Sequence, residues 1–155
     1  MQIHMIAVGN RMPPWVREGY DEYAKRLPAE CELILKEIAP GRRFKHSDLT
    51  RIIDEEGQRM LAAISKDSHV VALDPPGHQW STRELSEALD RWQRKGTKVT
   101  LLVGGPEGLS DACRCRADEV WGLSKLTFPH PLVRIIVAEQ LYRSWSLLRN
   151  HPYHR

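Results

Sequence analysis

The sequence predicts an α/β fold in which a parallel β-sheet is covered by helices on both faces. Short apolar runs alternate along the chain with segments of helical periodicity, which is typical of strand–helix–strand units. The runs at 69–73 and 99–103 are mostly apolar, as expected for strands buried on both faces. The length of 155 residues suits one core, so we predict a single domain over residues 1–155.

Local signals place the individual elements. A capping box of Ser81 and Glu84 begins one helix, and Gly96 suits the left-handed position after its end. Strands are predicted over 2–8, 32–38, 69–74, 98–105 and 119–124, the third being stopped by Pro75-Pro76-Gly77. A first helix is predicted after Pro13 and Pro14, to about Leu27, and a second from a cap at Ser47 or Asp48 to about Ile64. Further helices are predicted from Ser81 to Lys95, just after Ser110, and over about 132–148, followed by a polar tail at 149–155.

Composition limits the class of protein. Apolar residues make up 41% and charged residues 28% of the chain, and no apolar run approaches the roughly 20 residues of a membrane span. The first residues lack the basic start of a signal peptide, so we expect a cytoplasmic protein with no membrane partner. The three cysteines lack ligand spacing, which predicts reduced thiols and no metal site. The net charge of +3 permits an RNA partner without requiring one.

The stretch LLVGGPEGLS, residues 101–110, ends the most apolar strand in a glycine-rich loop. It lacks the Gly-Lys-Ser/Thr of a phosphate loop and the spacing of a dinucleotide fingerprint. Pro106 removes one N–H donor, and Glu107 is expected to repel a pyrophosphate. The loop therefore suits a ligand with hydroxyls, an adenine edge and a positive charge, such as S-adenosylmethionine. A plain tight turn is the alternative. If the ligand interpretation holds, a side chain at Gly105 should crowd the bound adenosine.

The predicted helix at 132–148 is apolar on nearly every side, which predicts that it is buried on every side. A domain of this size has little interior for such a helix, so we expect a homodimer interface. Arg134, Glu139 and Arg143 take the remaining positions, either as surface or salt-bridge residues or as functional ones.

Two basic segments offer RNA-binding chemistry. The tail RNHPYHR, 149–155, carries groups that can clamp phosphate, stack on a base and take up a proton, although a frayed end is the alternative. The loop with Arg42, Arg43, Phe44, Lys45 and His46 has the same character, although a solvated surface segment explains it equally.

Several stretches together resemble the RlmH family of SPOUT-class methyltransferases, which modify N3 of a pseudouridine in 23S ribosomal RNA. The resemblance covers essentially the whole chain. The stretches that carry it are MQIHMIAVG, WVREGYDEYAKRLP, ALDPPG, LLVGGPEGLS, LSKLTFPHPLVRIIVAEQLYR and NHPYHR.

This resemblance implies an α/β-knot fold whose C-terminal segment forms a trefoil knot, with the segments around 101–110 and 121–131 making the knot. It also implies a homodimer, S-adenosyl-L-methionine as methyl donor, no metal, and a target in helix 69 of 23S rRNA within the assembled ribosome. The implied donor pocket comprises Leu73, Gly104, Gly105, Leu123, Ser124, Lys125, Leu126, Thr127 and Phe128, with Lys125 and Phe128 contributing through their backbone.

Methylation of N3 requires that its proton leave, which calls for a base or for groups that stabilise the developing charge. Candidate catalytic residues are His130, Arg134, Glu139, Tyr153, His154 and Arg155, with the arginines, including Arg143, as phosphate or carbonyl partners. We expect the tail to reach an acceptor pocket, and that pocket can belong to the partner subunit. Two alternatives stay open: a knotted methyltransferase acting on tRNA or a small molecule, and a non-catalytic ribosome-binding factor.

Overall fold

A computed structural model describes residues 1–44 and 48–155, and it confirms the α/β class. The strands are β1 (Gln2–Val8), β2 (Glu32–Ile38), β3 (His69–His78), β4 (Val99–Val103) and β5 (Glu119–Trp121). The α-helices are α1 (Pro14–Ala24), α2 (Leu49–Ala63), α3 (Thr82–Lys95), α4 (Asp111–Arg116) and α5 (His130–Leu148), with short 3₁₀ turns at Ala29–Cys31 and Pro152–His154.

Within the described residues, five strands form one sheet in the order β2-β1-β4-β3-β5, and all the pairings are parallel. The carboxyl ends of the strands therefore lie at a common edge of the sheet. At that edge, β1 and β2 end side by side, since Val8 pairs with Ile38 and the N–H of Gly9 donates to the Ile38 carbonyl at 2.8 Å. Loops from distant parts of the sequence meet there, as ligand sites of parallel sheets require.

Each face of the sheet carries a core cluster. On one face, α1, α3 and α5 bury Tyr20, Leu89 and Val137 against the strands. On the other face, α2 and α4 bury Met60 and Cys113. In β4, Leu101 and Val103 belong to the first cluster and Leu102 to the second, which explains why this strand is apolar on both faces.

Helix starts agree with the predicted caps. The Asp48 carboxylate accepts from the N–H of Thr50 at 3.0 Å, while the alternative cap, Ser47, lies outside the described residues. The Ser81 hydroxyl accepts from the N–H of Glu84 at 3.1 Å, and Gly96 takes a left-handed φ of 64°. These features are local in sequence, which is why they could be predicted.

Several element ends differ from prediction. Helix α1 ends at Ala24 rather than near Leu27, because Leu27 directly precedes Pro28 and is disfavoured in a helical conformation. Strand β3 does not stop at the Pro75-Pro76-Gly77 turn signal, since after an irregularity His78 pairs with Trp121 of the edge strand β5. The pairing of β3 with β4 ends at Leu73, so the two prolines lie where one side of the strand is unpaired, and such positions tolerate a residue that cannot donate to a ladder.

The edge strand and the last helix also have different bounds from those predicted. Strand β5 stops at Trp121 instead of 124. Helix α5 begins two residues earlier than predicted, at His130. In the described part of the chain, no helix combines the length and apolar character needed to cross a membrane.

Candidate active site

A cavity of about 420 Å³ opens at the carboxyl edge of the sheet, where β3, β4 and β5 end. Its volume lies in the range of small-molecule sites. Of the nine residues predicted for the donor pocket, eight line this cavity: Leu73, Gly104, Gly105, Leu123, Ser124, Leu126, Thr127 and Phe128. The ninth, Lys125, is exposed and is not part of the lining. The structure thus brings the predicted pocket residues from β3 and from the segments that follow β4 and β5 together at one edge of the sheet.

The glycine loop takes its shape mainly from hydrogen bonding and close contacts between its own glycines. Gly105 and Gly108 form an antiparallel bridge, and the N–H of Gly108 donates to the Gly105 carbonyl at 3.0 Å. A Cβ at Gly104 would lie only 2.6 Å from the carbonyl carbon of Gly108, so the doubled-back chain leaves no room for a side chain. Gly108 has a φ of +85°, which favours glycine. The backbone of the loop therefore forms one wall of the cavity.

The expected effect of a side chain at Gly105 is corrected by this geometry. A Cβ there would lie 3.0 Å from Cγ1 of Val8 and 3.4 Å from Oε1 of Glu56. A substitution at Gly105 would first disturb the core below the loop, so it is a poor test of donor binding.

The expectation for Glu107 is also corrected. Its carboxylate accepts from Nη1 of Arg43 at 2.8 Å, and Glu107 is not among the residues that line the cavity. The loop after β2 therefore offsets the charge that we expected to repel anions. The partner could not be predicted, because Arg43 is far from Glu107 in sequence.

His130, the first residue of α5, lies on the cavity wall. Its Nδ1 is buried and has no hydrogen-bond partner among the described residues. Burial lowers the pKa of His130 below its ordinary value, and the neighbouring charge of Arg134 lowers it further. The ring is therefore neutral at pH 7, with a nitrogen lone pair able to accept a proton.

Arg134 is 1% exposed and is held within the protein, so the structure does not support its predicted role as a phosphate partner. Its Nη1 donates to Oε2 of Glu37 at 2.8 Å, and its Nη2 donates to the carbonyls of Gly9 at 2.7 Å and Val8 at 3.2 Å. Arg134 thus ties α5 to the ends of β1 and β2 beneath His130. Of the two alternatives that the sequence left open, the structure favours the salt bridge.

The tail is docked rather than frayed. The ring of Tyr153 lies 4.6 Å from that of Tyr142 in α5, measured between centroids, and its hydroxyl donates to Oε1 of Glu139 at 3.4 Å. Arg143 donates to the same Glu139 oxygen at 2.7 Å. Burial and the Glu139 charge raise the pKa of Tyr153. We call Glu139, Arg143 and Tyr153 the tail cluster.

The last residues extend beyond the tail cluster. His154 is half-buried and its Nδ1 contacts the carbonyl of His151, while Arg155 is exposed. Within one chain, the predicted catalytic residues therefore do not form a single site. His130 lies on the cavity wall, Arg134 lies in the core, and Glu139 and Tyr153 lie in the tail cluster. None of residues 149–155 lines the cavity of its own chain.

Comparison with known proteins assigns the family. A family model described as a predicted SPOUT methyltransferase matches residues 1–154. The chain belongs to the SPOUT methyltransferase family. It is therefore an enzyme whose methyl donor is S-adenosylmethionine. Membership implies the C-terminal knot predicted above.

Two relatives agree with this family, and one solved structure shares the fold. The chain is 64% identical over 155 residues to the ribosomal RNA large subunit methyltransferase H of Methylococcus capsulatus, with 100% of both chains covered. It is 66% identical to the protein of the same name from Thioalkalivibrio sulfidiphilus, with 100% of this chain and 99% of the relative covered. A probable methylase family protein from Haemophilus influenzae shares the fold, with a TM-score of 0.57, 12% identity, and coverage of 99% of this chain and 70% of that one.

The cavity of this SPOUT methyltransferase fits its donor in size and chemistry. Its apolar walls suit an adenine ring, and backbone groups of the glycine loop lie where hydroxyls or ring nitrogens can be bound. Ser124 and Thr127 add hydroxyls. Among the described residues, no cluster of three or more His, Cys, Asp or Glu side chains is placed to hold a metal ion.

The predicted donor pocket left out several residues of the wall, of which Asp74, at a strand end expected to bind ligand, carries the most chemistry. Asp74 is 9% exposed, lines the cavity, and accepts from Nε of Arg114 at 2.7 Å. Its position directly after the apolar run of β3 was the available signal, since strand ends of parallel sheets bind ligands. Trp121 and Val103 occupy equivalent strand ends and were missed in the same way.

Proposed function

We propose that this enzyme methylates N3 of a pseudouridine in the helix 69 loop of 23S ribosomal RNA, with the assembled ribosome as substrate. Two relatives that match along their full length are named as methyltransferases of large-subunit ribosomal RNA, which supports RNA of the large subunit as the substrate class. The stretches that resemble the RlmH family, including the glycine loop and the tail, support the finer assignment. Such an enzyme works in the cytoplasm, where the ribosomes are.

One observation carries the chemistry: a histidine whose lowered pKa keeps it neutral at pH 7 lies on the wall of the donor cavity. When bound, the donor supplies a methyl group on sulfonium sulfur; the new N3–C bond forms as the S–C bond breaks, leaving a neutral thioether. The proton on N3 must also leave, and we assign its acceptance to the neutral imidazole of His130 on the cavity wall. Arg134 lies beneath as a positioning residue, and its charge disfavours early protonation of His130.

We further propose that two protomers share each site in a homodimer. The tail cluster carries charged and aromatic groups suited to RNA, yet residues 149–155 do not line the cavity of their own chain. A two-fold dimer that places the tail of one protomer at its partner's cavity brings both sets of groups to one RNA nucleotide. His154 and Arg155, at the end of the tail, are then available for the acceptor.

The proposed function is tested by mapping modified nucleotides in 23S rRNA from a strain that lacks this protein. We expect loss of one methyl group at the helix 69 pseudouridine and its restoration when ribosomes from that strain are incubated with the enzyme and S-adenosylmethionine. Isolated tRNA should remain unmodified in the same assay. Methylation of tRNA with unmodified ribosomes would replace this function by the tRNA alternative.

A further inference from the structure

The loop that follows β2, residues 39–44, lies at the surface but is tied to the body of the protein. Arg59 donates through Nη1 to the carbonyls of the first two loop residues at 2.9 and 3.1 Å. Glu56, which is 1% exposed, accepts through Oε2 from the N–H of Gly41 at 2.9 Å. We call residues 39–44 the anchored loop. These ties fix the backbone from which its outer side chains project.

Ala39 and Pro40 of the anchored loop are exposed, and so are its basic and aromatic residues, Arg42, Arg43 and Phe44, the last 62% exposed. Guanidinium groups bind phosphate through charge-assisted hydrogen bonds, and an aromatic ring offers a stacking surface to a base. A surface whose backbone is already ordered loses less conformational entropy on binding than a free segment does. The loop therefore has the chemistry and the order of an RNA-contacting element.

The anchored loop also touches the glycine loop. Arg43 donates to Glu107 at 2.8 Å, with the two side chains 42% and 27% exposed, respectively. An ion pair this exposed is weak, so a phosphate can displace the carboxylate from Arg43. Below the surface, Oε1 of the same Glu56 that holds Gly41 lies 3.4 Å from the position of a Cβ on Gly105. RNA bound at the anchored loop would thus lie beside the donor cavity.

We propose that the anchored loop docks the phosphate backbone of the acceptor RNA, and that Arg43 exchanges Glu107 for a phosphate as the RNA binds. The inference rests on the proposed function, because it takes the substrate to be RNA. It adds a specific contact surface and assigns Glu107 as the group that holds Arg43 in the absence of RNA.

The test measures binding of the full-length protein to ribosomes from a strain that lacks it, over a range of salt concentrations. Arg43→Ala should weaken binding by about three- to tenfold near 0.1 M salt and reduce the log–log salt slope by about 1, the signature of one lost phosphate contact. Arg43→Lys should keep most of the affinity. Glu107→Gln should tighten binding, because it frees Arg43 and removes a negative charge from the RNA surface.

A matched ion pair at the opposite edge of the sheet serves as control. Helix α3 starts at the carboxyl edge and ends at the amino edge, where Arg94 donates to Asp90 at 2.8 Å. Arg94→Ala and Asp90→Asn remove the same kinds of charge far from the cavity, so neither should change ribosome binding. Calorimetric titration with S-adenosylmethionine and thermal melting verify that each variant is folded.

The outcomes separate this inference from the proposed function. If the wild type binds and methylates ribosomes but Arg43→Ala and Glu107→Gln bind like the wild type, the docking site is wrong and the proposed function stands. If Arg43→Ala weakens binding without changing the salt slope, the loop contacts a ribosomal protein instead of phosphate, which also overturns the inference. If the wild type neither binds nor methylates ribosomes, both fail together.

Discussion

The environment of His130 suits a base that acts near neutral pH. Burial and the charge of Arg134 keep its pKa below that of a free histidine, so the ring is unprotonated where the enzyme works. This role can be tested, because the rate of a reaction that needs a general base falls as that base becomes protonated at low pH.

We predict that His130→Gln lowers kcat for ribosome methylation by about 10²- to 10⁴-fold, the usual contribution of a general base. Donor affinity, measured by calorimetry, should stay near that of the wild type, since the rest of the cavity remains. The wild-type rate should fall at acidic pH only below the ordinary histidine value of 6.5, because the pKa of His130 is lowered. The variant should lack this acidic limb; a variant with the wild-type profile would remove His130 from the mechanism.

Arg134 should act through stability and positioning. Arg134→Met leaves Glu37 and two backbone carbonyls without their donor, so we predict a loss of about 2–4 kcal/mol in the free energy of unfolding. Glu37→Gln should cost less, since the Glu37 side chain is 34% exposed. Urea denaturation of both variants measures the difference. Equal and small losses in the free energy of unfolding would show that the hydrogen bonds of Arg134 contribute little to stability.

Helix α5 connects the separate parts of the candidate site. Its first residue, His130, lies on the cavity wall, and Arg134, one turn later, fixes the ends of β1 and β2. Further along, Glu139 and Tyr142 hold the tail. A shift of this helix would therefore move His130, Arg134 and the tail together, so single substitutions in the tail separate its roles better than its deletion would.

Tyr153 allows the structural and catalytic roles of the tail to be separated. Tyr153→Ala removes a ring packed on Tyr142, and we predict a loss of about 1–3 kcal/mol in stability. Tyr153→Phe keeps the ring and loses only the long hydrogen bond to Glu139, so it should melt like the wild type. If the hydroxyl assists catalysis, Tyr153→Phe should methylate ribosomes more slowly at unchanged stability. Wild-type turnover in this variant would assign Tyr153 a packing role.

The elements that could be predicted from sequence are those specified by neighbours in the chain. The capping box at Ser81 and the left-handed Gly96 need only local hydrogen bonds and backbone preference, and both were predicted. The predicted end of β3 was wrong because pairing with β5 extends the strand to His78. The partners of Glu107 and Tyr153 could not be predicted for the same reason, because only the tertiary fold brings Arg43 and Tyr142 close to them.

At the scale of the whole molecule, the single chain covers α5 more fully than we expected. Helices α1 and α3 both pack against it, and residues 131–148 are all buried or half-buried. Leu132, Ile136 and Leu147 remain half-buried outside both core clusters, as far as the described residues show. The case for a homodimer therefore depends on these residues and on the separation of tail and cavity. Sedimentation should give about twice the 17.9 kDa chain mass.

Mixing two inactive variants tests the shared site most directly. One protomer carries His130→Gln with an intact tail, and the other carries His154→Ala and Arg155→Ala with an intact cavity wall. In a mixed dimer with shared sites, one cavity has both an intact His130 and an intact partner tail, whereas the other cavity has neither. Random exchange of equal amounts should therefore restore about a quarter of the wild-type methylation of ribosomes, since half of the dimers are mixed and each has one competent site. Mixed dimers that form but stay inactive would contradict the shared site, because each cavity would then depend on its own tail.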